Sequence, residues 1–358
     1  MSSPLAIQSY RGTYRVHFIE SALATLASQT RESDHFIVDA TAISHFPELA
    51  HALQDRHATF IAASEEAKSF SAIEPLIARL LDLGFTKSQR LVAIGGGTIQ
   101  DITAFTASIL FRGVDWLFFP TTLLAQCDSC IGSKTSINFG VFKNQLGGFF
   151  PPREIFIDQA FLATLPEHEI RSGVGEMLHY FLVNGEEDLK LAEAHIDEAL
   201  AMGPALQTFL LRSLQIKAAM IERDEFDQGP RNVFNYGHSF GHALESATRY
   251  AVAHGIAVSF GMDLANAISV ERGWIAPDLR QRLRAVLQKV WQDFEIPPFD
   301  LQDYFAALAR DKKNEGRDIK VILTRGVGAM LKTSLDLNDD LRGFIADFFG
   351  QRRYAKSA

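Results

Sequence analysis

A run of four apolar residues, Leu91-Val-Ala-Ile94, ends in three consecutive glycines, Gly95 to Gly97, and a helical pattern follows. A short wholly apolar run suits a strand buried on both faces, and the glycines permit a tight turn into a helix. The same alternation recurs through the first half of the chain. His35–Asp39 and Phe60–Ala63 read as strands, and Ile73–Leu83 carries apolar residues at helical spacing. Trp116–Phe119, stopped by Pro120, and Glu154–Asp158 read as two more strands. Strands alternating with helices predict a parallel sheet covered by helices. After about residue 160 the pattern turns helical. Ala163–Val183, Glu187–Met202, Ala205–Glu222, Gly237–Thr248, Gly255–Arg272 and Asp278–Phe294 are predicted helices, and Ile319–Leu323 is the one late strand expected. The chain therefore divides into an α/β domain, 1–160, and a mostly helical domain, 161–358.

That division suits a chain of 358 residues, since roughly 150 residues per domain is the usual scale. With 35 basic and 43 acidic residues the net charge is −8, which argues against a dedicated nucleic-acid or anionic-membrane binder. No apolar stretch approaches the ~18 residues of a membrane span, and the first residues lack the basic segment and apolar run of a signal peptide. Two cysteines, Cys127 and Cys130, exclude a disulfide framework. Further zinc ligands are missing near this C-x-x-C pair, so buried free thiols are expected. These features set the expectation of a cytoplasmic protein.

Three groups of residues carry potential chemistry. Gly95–Asp101 follows a strand and opens a helix, where backbone N–H groups and the helix dipole favour a phosphate; a plain strand–helix turn is the other reading. His238 and His242 lie four apart on one helix face, His254 follows twelve residues on, and Glu176 stands upstream. Two or three His and one carboxylate suit an open catalytic zinc-type site, whereas packing or surface chemistry also explains an isolated His pair. Lys134, Lys143, Asn144, Lys217, Arg231 and Lys312–Lys313 form a scattered polar set. It is either a solvated surface or a pocket for a phosphate and a carboxylate.

Taken in order, these pieces resemble the 3-dehydroquinate synthases and their sugar-phosphate-cyclase relatives. The resemblance rests on Gly95–Asp101, Phe111-Arg-Gly113, Pro120–Gln126, Asp128, Gly132-Ser-Lys134, Lys143-Asn144, Gly175–His179, Arg223–Glu225, Asn235–His242, His254-Gly255 and Asp311–Lys313. It implies an NAD-binding N-terminal domain and a metal- and substrate-binding helical domain. It implies a divalent metal, zinc or cobalt, held by Glu176, His238 and His254. The implied cofactor set is Asp39, Glu65, Lys68, Gly96, Gly97, Thr98, Asp101, Thr121, Thr122, Lys134, Lys143, Phe161 and Thr164. Lys134, Asn144, Asn235, His242 and Lys312 match a substrate-phosphate pocket, and Arg112 would reach in from the second subunit of a homodimer. Lys217 and Arg231 match residues that hold a substrate carboxylate, and Asp128 matches a residue near the nicotinamide.

The implied reaction converts a seven-carbon keto-acid phosphate to 3-dehydroquinate: oxidation, phosphate elimination, reduction and aldol cyclisation, with NAD recycled. The chain leaves the family pattern at His179, where the family's Glu-x-x-Lys has Lys. His179 shares a helix face with Glu176. It either replaces a substrate contact or joins the metal, and the former is expected because Lewis-acid chemistry needs open positions. Gln100 is a second departure, standing where a small residue is usual. The alternative function is a paralogous cyclase for another sugar phosphate in specialised or surface-glycan metabolism. A metal-dependent polyol dehydrogenase is a third, disfavoured because an uncharged polyol needs no phosphate pocket. Lys217 and Arg231 together favour a carboxylated substrate, since without one they would face nothing.

Overall fold

The computed structural model describes residues 3–140, 142–310 and 318–354. They fall into two compact units, residues 1–166 with 217–227 and residues 167–216 with 228–358.

The first unit contains β1 (Leu5–Ser9), β2 (Gly12–Phe18), α1 (Ala22–Gln29), β3 (His35–Asp39), α2 (Ala40–His45), α3 (Pro47–Ala52) and β4 (His57–Ile61). It continues through α4 (Phe70–Asp82), β5 (Leu91–Gly95), α5 (Gly97–Ile109), β6 (Trp116–Pro120), β7 (Lys134–Phe139), β8 (Phe142–Phe149) and β9 (Glu154–Ile157). Seven strands form one sheet in the order β1-β2-β9-β6-β5-β3-β4. Only the β1–β2 pair is antiparallel. The central strands β5 and β6 are buried at every residue, as a sheet covered on both faces requires. Phe36, Val38, Val92, Ile94, Leu117 and Phe119 form the middle of one apolar cluster on this sheet.

Strand direction places the candidate cofactor residues. β3, β5 and β6 are adjacent and parallel, and Gly95 is in register with Pro120. Asp39, Gly95–Gly97 and Thr121-Thr122 therefore lie along the carboxyl edge of the sheet, where open α/β sheets bind ligands. The strand expected at Phe60–Ala63 lies earlier, at His57–Ile61. The β1–β2 hairpin and the separate β7–β8 hairpin were not expected. β8 is largely exposed and glycine-containing, so it lacks the apolar run by which buried strands are recognised.

The second unit contains α6 (Glu167–Asn184), α7 (Glu186–Leu200), the first part of α8 (Ala205–Arg223), α9 (His238–Ala247), α10 (His254–Glu271), α11 (Pro277–Trp291) and α12 (Leu301–Ala309). An antiparallel pair, β10 (Asp318–Thr324) and β11 (Met330–Asp336), precedes α13 (Asp339–Tyr354). The helix expected from Ala163 begins at Glu167 instead, after a 3₁₀ turn over Gln159–Thr164. Pro166 suits a helix entry but not a helix interior. β11 escaped notice because six of its seven residues keep some exposure in an irregular pattern rather than forming an apolar run. Among the described residues no helix is long and apolar enough to cross a membrane.

Two glycine-lined crossings organise this unit. A Cβ on Gly255 would stand 1.8 Å from the Ser172 carbonyl oxygen, and one on Gly175 would stand 2.4 Å from the Gly255 carbonyl oxygen. Helices α6 and α10 thus touch backbone to backbone. A Cβ on Gly261 would lie 2.0 Å from the Gly237 carbonyl oxygen, and one on Gly241 would lie 2.9 Å from Val258 Cα. Helix α9 is drawn onto α10 in the same way. Each crossing sits beside a metal-ligand candidate: Gly175 precedes Glu176, Gly237 precedes His238, and Gly255 follows His254.

Candidate metal centre and cofactor turn

Glu176 comes from the middle of α6, while His238 and His254 are the first residues of α9 and α10. His238 Nε2 lies 3.6 Å from Glu176 Oε1, and His254 Nε2 lies 3.6 Å from Glu176 Oε2. Each ring is fixed from its far side. His238 Nδ1 is 3.2 Å from the Tyr236 carbonyl oxygen, and His254 Nδ1 is 3.2 Å from Glu245 Oε2. An acceptor at Nδ1 assigns the proton there and leaves the Nε2 lone pair directed at the carboxylate. Tyr236 is itself anchored, its hydroxyl donating to Asn266 Oδ1 at 2.5 Å on α10.

This arrangement has no internal proton to share. Glu176 is 2% exposed, and its Oε2 has no hydrogen-bond partner among the described residues. Burial alone would push its carboxyl up, and only positive charge beside it, on protonated His238, His179 and His254 rings or on a bound cation, pulls it below the ordinary carboxylate value. A buried carboxylate facing two imidazole lone pairs is a costly arrangement until a cation joins them. One donor atom from each of Glu176, His238 and His254 lies within 4.8 Å of the others. Ligands ~2.0–2.1 Å from a tetrahedral metal stand about 3.3–3.5 Å apart, close to the spacing seen here. Three N/O ligands with further positions open fit catalytic zinc or cobalt.

His242, one turn along α9 from His238, is exposed. Its ring stacks near His254 at 5.6 Å, and together with Glu245 and His254 it forms a second group of converging donors. His179 belongs to neither group. Its ring is fully enclosed, with Nδ1 3.6 Å from Glu176 Oε1 and edge contacts to Tyr180, Phe234 and His238. The structure thus places His179 against the carboxylate of the candidate ligand Glu176. Arg231 is buried in the 3₁₀ turn Pro230–Asn235, and Asn235 at its end donates to the Asn232 carbonyl oxygen.

In the α/β unit, α5 opens at Gly96 with no side-chain cap, leaving its first N–H groups available to an anion. A Cβ on Gly96 would come within 2.8 Å of Thr122 Cγ2, so any side chain there would fill the space beside the turn. Gln100 is buried below the turn. Its Nε2 donates to the Ser129 carbonyl oxygen, and it accepts from Ser129 Oγ, both at 2.6 Å, so its amide is absorbed structurally. Thr98 and Thr122 are half-buried, Thr121 is buried, and Asp39 caps α2 by accepting from Thr41 N–H. Thr164 is exposed, but the Phe161 side chain packs on Phe46 in the apolar core. The Phe161 side chain is thus part of the core.

A polar cluster joins five of the expected residues. Lys68 Nζ is 2.7 Å from Asp101 Oδ2 and 3.0 Å from Asn144 Oδ1, and Lys143 Nζ is 3.3 Å from Glu65 Oε2. Desolvation pushes the Asp101 carboxyl up, against the pull of Lys68. Two residues that were not expected complete the cluster. Ser136 donates to Asn144 Oδ1, and Asn138 donates to Glu65 Oε2 while its own oxygen accepts from Asn144 N–H. Nothing in their spacing marked them, because the unrecognised β7–β8 hairpin brings them together. Lys134 pairs with Asp227 at 2.6 Å. Lys217 Nζ donates to Asp128 Oδ1 at 2.6 Å and to the Asp128 carbonyl oxygen at 2.7 Å. The argument that Lys217 would face nothing without a substrate carboxylate is therefore corrected: Asp128 already balances it. Arg112 is exposed in a turn at φ 63°. Lys312 lies outside the described residues. Cys127 and Cys130 are buried thiols with no disulfide between them, burial pushing the Cys130 thiol up to about 12.

A parallel-sheet α/β unit with an uncapped glycine turn, followed by a helical unit in which Glu176, His238 and His254 converge, is a fold shared with several solved enzymes. Iron-containing alcohol dehydrogenase from Thermotoga maritima shares the fold at a TM-score of 0.62 and 13% identity, over 94% of this chain and 97% of that one. 2-Deoxy-scyllo-inosose synthase, solved with carbaglucose-6-phosphate, NAD+ and Co2+, is more alike: TM-score 0.85, 24% identity, 96% and 98% covered. The 2-epi-5-epi-valiolone synthase of Streptomyces hygroscopicus subsp. jinggangensis, with NAD+ and Zn2+ bound, matches at TM-score 0.82 and 28% identity over 94% and 97%. Residues 58–172 match the family model of the 3-dehydroquinate synthase N-terminal region, and residues 173–314 that of its C-terminal region. The 3-dehydroquinate synthase of Alkaliphilus metalliredigens is 38% identical over 74% of this chain and 75% of its own length. That of Helicobacter pylori strain G27 is 35% identical over 83% and 85%. The chain belongs to the 3-dehydroquinate synthase family.

Proposed function

We propose that this chain converts a seven-carbon keto-acid phosphate to 3-dehydroquinate and inorganic phosphate, with NAD recycled and a divalent metal, zinc or cobalt, bound. The observation that carries the reading is the convergence of one donor atom each from Glu176, His238 and His254 on a chain of this family. When bound, NAD supplies reversible hydride removal and return, and the metal supplies Lewis-acid stabilisation of charge developing on substrate oxygens.

The chain's own residues do the rest. Glu176, His238 and His254 hold the metal. Gly96, Gly97, Thr98, Thr121 and Thr122 receive the cofactor pyrophosphate, and Asp39 stands at the neighbouring strand end for a ribose. Glu65, Lys68, Asp101 and Lys143 hold the β7–β8 hairpin against α5. In the α/β unit, Lys134 and Asn144 are assigned to the substrate phosphate, and Lys217, oriented by Asp128, to the carboxylate. In the helical unit, Asn235 and His242 are assigned to phosphate and Arg231 to carboxylate. A cytoplasmic homodimer, with Arg112 of one copy serving the other, belongs to the same reading.

His179 keeps a second reading open, a related cyclase acting on another sugar phosphate. Purified protein with NAD and Co²⁺ is expected to release phosphate from the seven-carbon keto-acid phosphate and not from sedoheptulose phosphate or glucose phosphate. Release from either sugar phosphate in preference to the keto acid would select the second reading.

A further inference from the structure

The metal-ligand candidate His254 has a partner that no motif singled out. Glu245 lies on the last turns of α9, and His254 opens α10 nine residues later. The intervening loop reverses sharply, with Arg249 and Tyr250 both left-handed at φ 53° and 62°. That reversal returns the chain so that Glu245 Oε2 stands 3.2 Å from His254 Nδ1, on the side opposite Glu176. The Glu245 side chain is 14% exposed.

We propose that Glu245 is the positioning residue of the metal centre, accepting the Nδ1 proton of His254 and thereby aiming Nε2 at the metal. The proposal rests on the metal-centre reading above and adds to it a residue outside the ligand set. Three observations support it. A metal-bound imidazole needs an acceptor for its remote N–H, and Glu245 is the acceptor seen at His254. His238 is served differently, by the fixed backbone carbonyl of Tyr236, so among the described residues it is the His254 side that depends on a side chain. The charges also balance: Glu176 and Glu245 bring two negative charges to a mostly enclosed place, and one divalent cation neutralises both.

The test uses metal-stripped full-length protein reloaded with Co²⁺ or Zn²⁺ alone. Affinity is measured by competition with a chelator, and the Co²⁺ absorption spectrum reports ligand geometry. Glu245→Ala is expected to weaken metal binding by about 10–100-fold, to keep one metal per chain, and to shift the spectrum. Glu245→Gln keeps an acceptor oxygen without the charge, so it should fall between Ala and wild type and return the spectrum towards the native one. Should Glu245→Ala fail to fold by circular dichroism, the near-isosteric Gln variant carries the test by the same readouts. Wild-type affinity with an unchanged spectrum in the variants would overturn the proposal while leaving the centre intact. Loss of all metal, as expected for His254→Ala, would overturn it too by making Glu245 a direct ligand. If wild type itself binds no stoichiometric metal, the metal-centre reading falls, and this role falls with it.

Discussion

Gly255→Ala is expected to unmake the metal centre without touching a ligand. The new methyl carbon would stand 1.8 Å from the Ser172 carbonyl oxygen, 2.7 Å from its carbonyl carbon and 3.1 Å from Glu176 N. These are backbone atoms in a helix, so no rotamer change relieves the clash. The crossing of α6 and α10 must open, and Glu176 then moves away from His254. Gly255 N–H also donates to Ser172 Oγ at 2.9 Å, a bond that would be lost in the same movement. Overpacking costs about 1–3 kcal/mol where side chains can yield, so about 3 kcal/mol or more is expected here. For a unit of this size that is a fall in Tm of about 6–12 °C. Metal content should fall with it. Gly343→Ala on α13, where a Cβ would meet nothing within 4 Å, is the matched control and should leave both unchanged. A Gly255→Ala protein that melts with wild type and retains its metal would show that the crossing is not as tight as described.

The second large effect separates ligands from neighbours. Glu176→Ala, His238→Ala and His254→Ala should each lose bound metal, because an open three-ligand site has no ligand to spare. Turnover should fall on the order of 10³-fold or more, the equivalent of several kcal/mol of Lewis-acid stabilisation. His242→Ala and His179→Ala should retain the metal. His242 should lower turnover through the substrate phosphate, whereas His179 packs against Glu176 and should alter metal affinity by a smaller factor. Elemental analysis of the five variants decides the assignment. Metal lost from His242→Ala and His254→Ala but kept in Glu176→Ala and His238→Ala would move the centre to the His242-Glu245-His254 group.

Much of this was legible in the sequence because the signals are local. β3 was located to the residue by a buried apolar run, and α9 and α10 by apolar periodicity next to glycines. The expected metal ligands converge because each stands beside a glycine that permits a helix crossing. Their spacing in sequence, 62 residues from Glu176 to His238 and 16 more to His254, carried no such information by itself. What stayed hidden depends on tertiary contact. The exposed β7–β8 hairpin has no buried face to give it a period, so Ser136 and Asn138 went unseen. Glu245 looks like an ordinary helix-end acid until a reversed loop brings it to His254. Lys217 was read as a cation awaiting a substrate, because nothing in the sequence places Asp128, 89 residues upstream, beside it. Phe161 fell within a cofactor-like motif, yet its side chain went to the core, as a large aromatic beside a buried sheet usually does.

The central claim is that this chain eliminates phosphate and closes a ring while returning its hydride. It is tested most directly by following three products in one reaction, with NAD far below substrate and Co²⁺ or Zn²⁺ present. Phosphate and 3-dehydroquinate should appear in equal amounts over many turnovers per NAD, with no build-up of NADH absorbance. NADH accumulating in step with substrate consumed, without phosphate release, would contradict the account and place the chain with the dehydrogenases that share its fold.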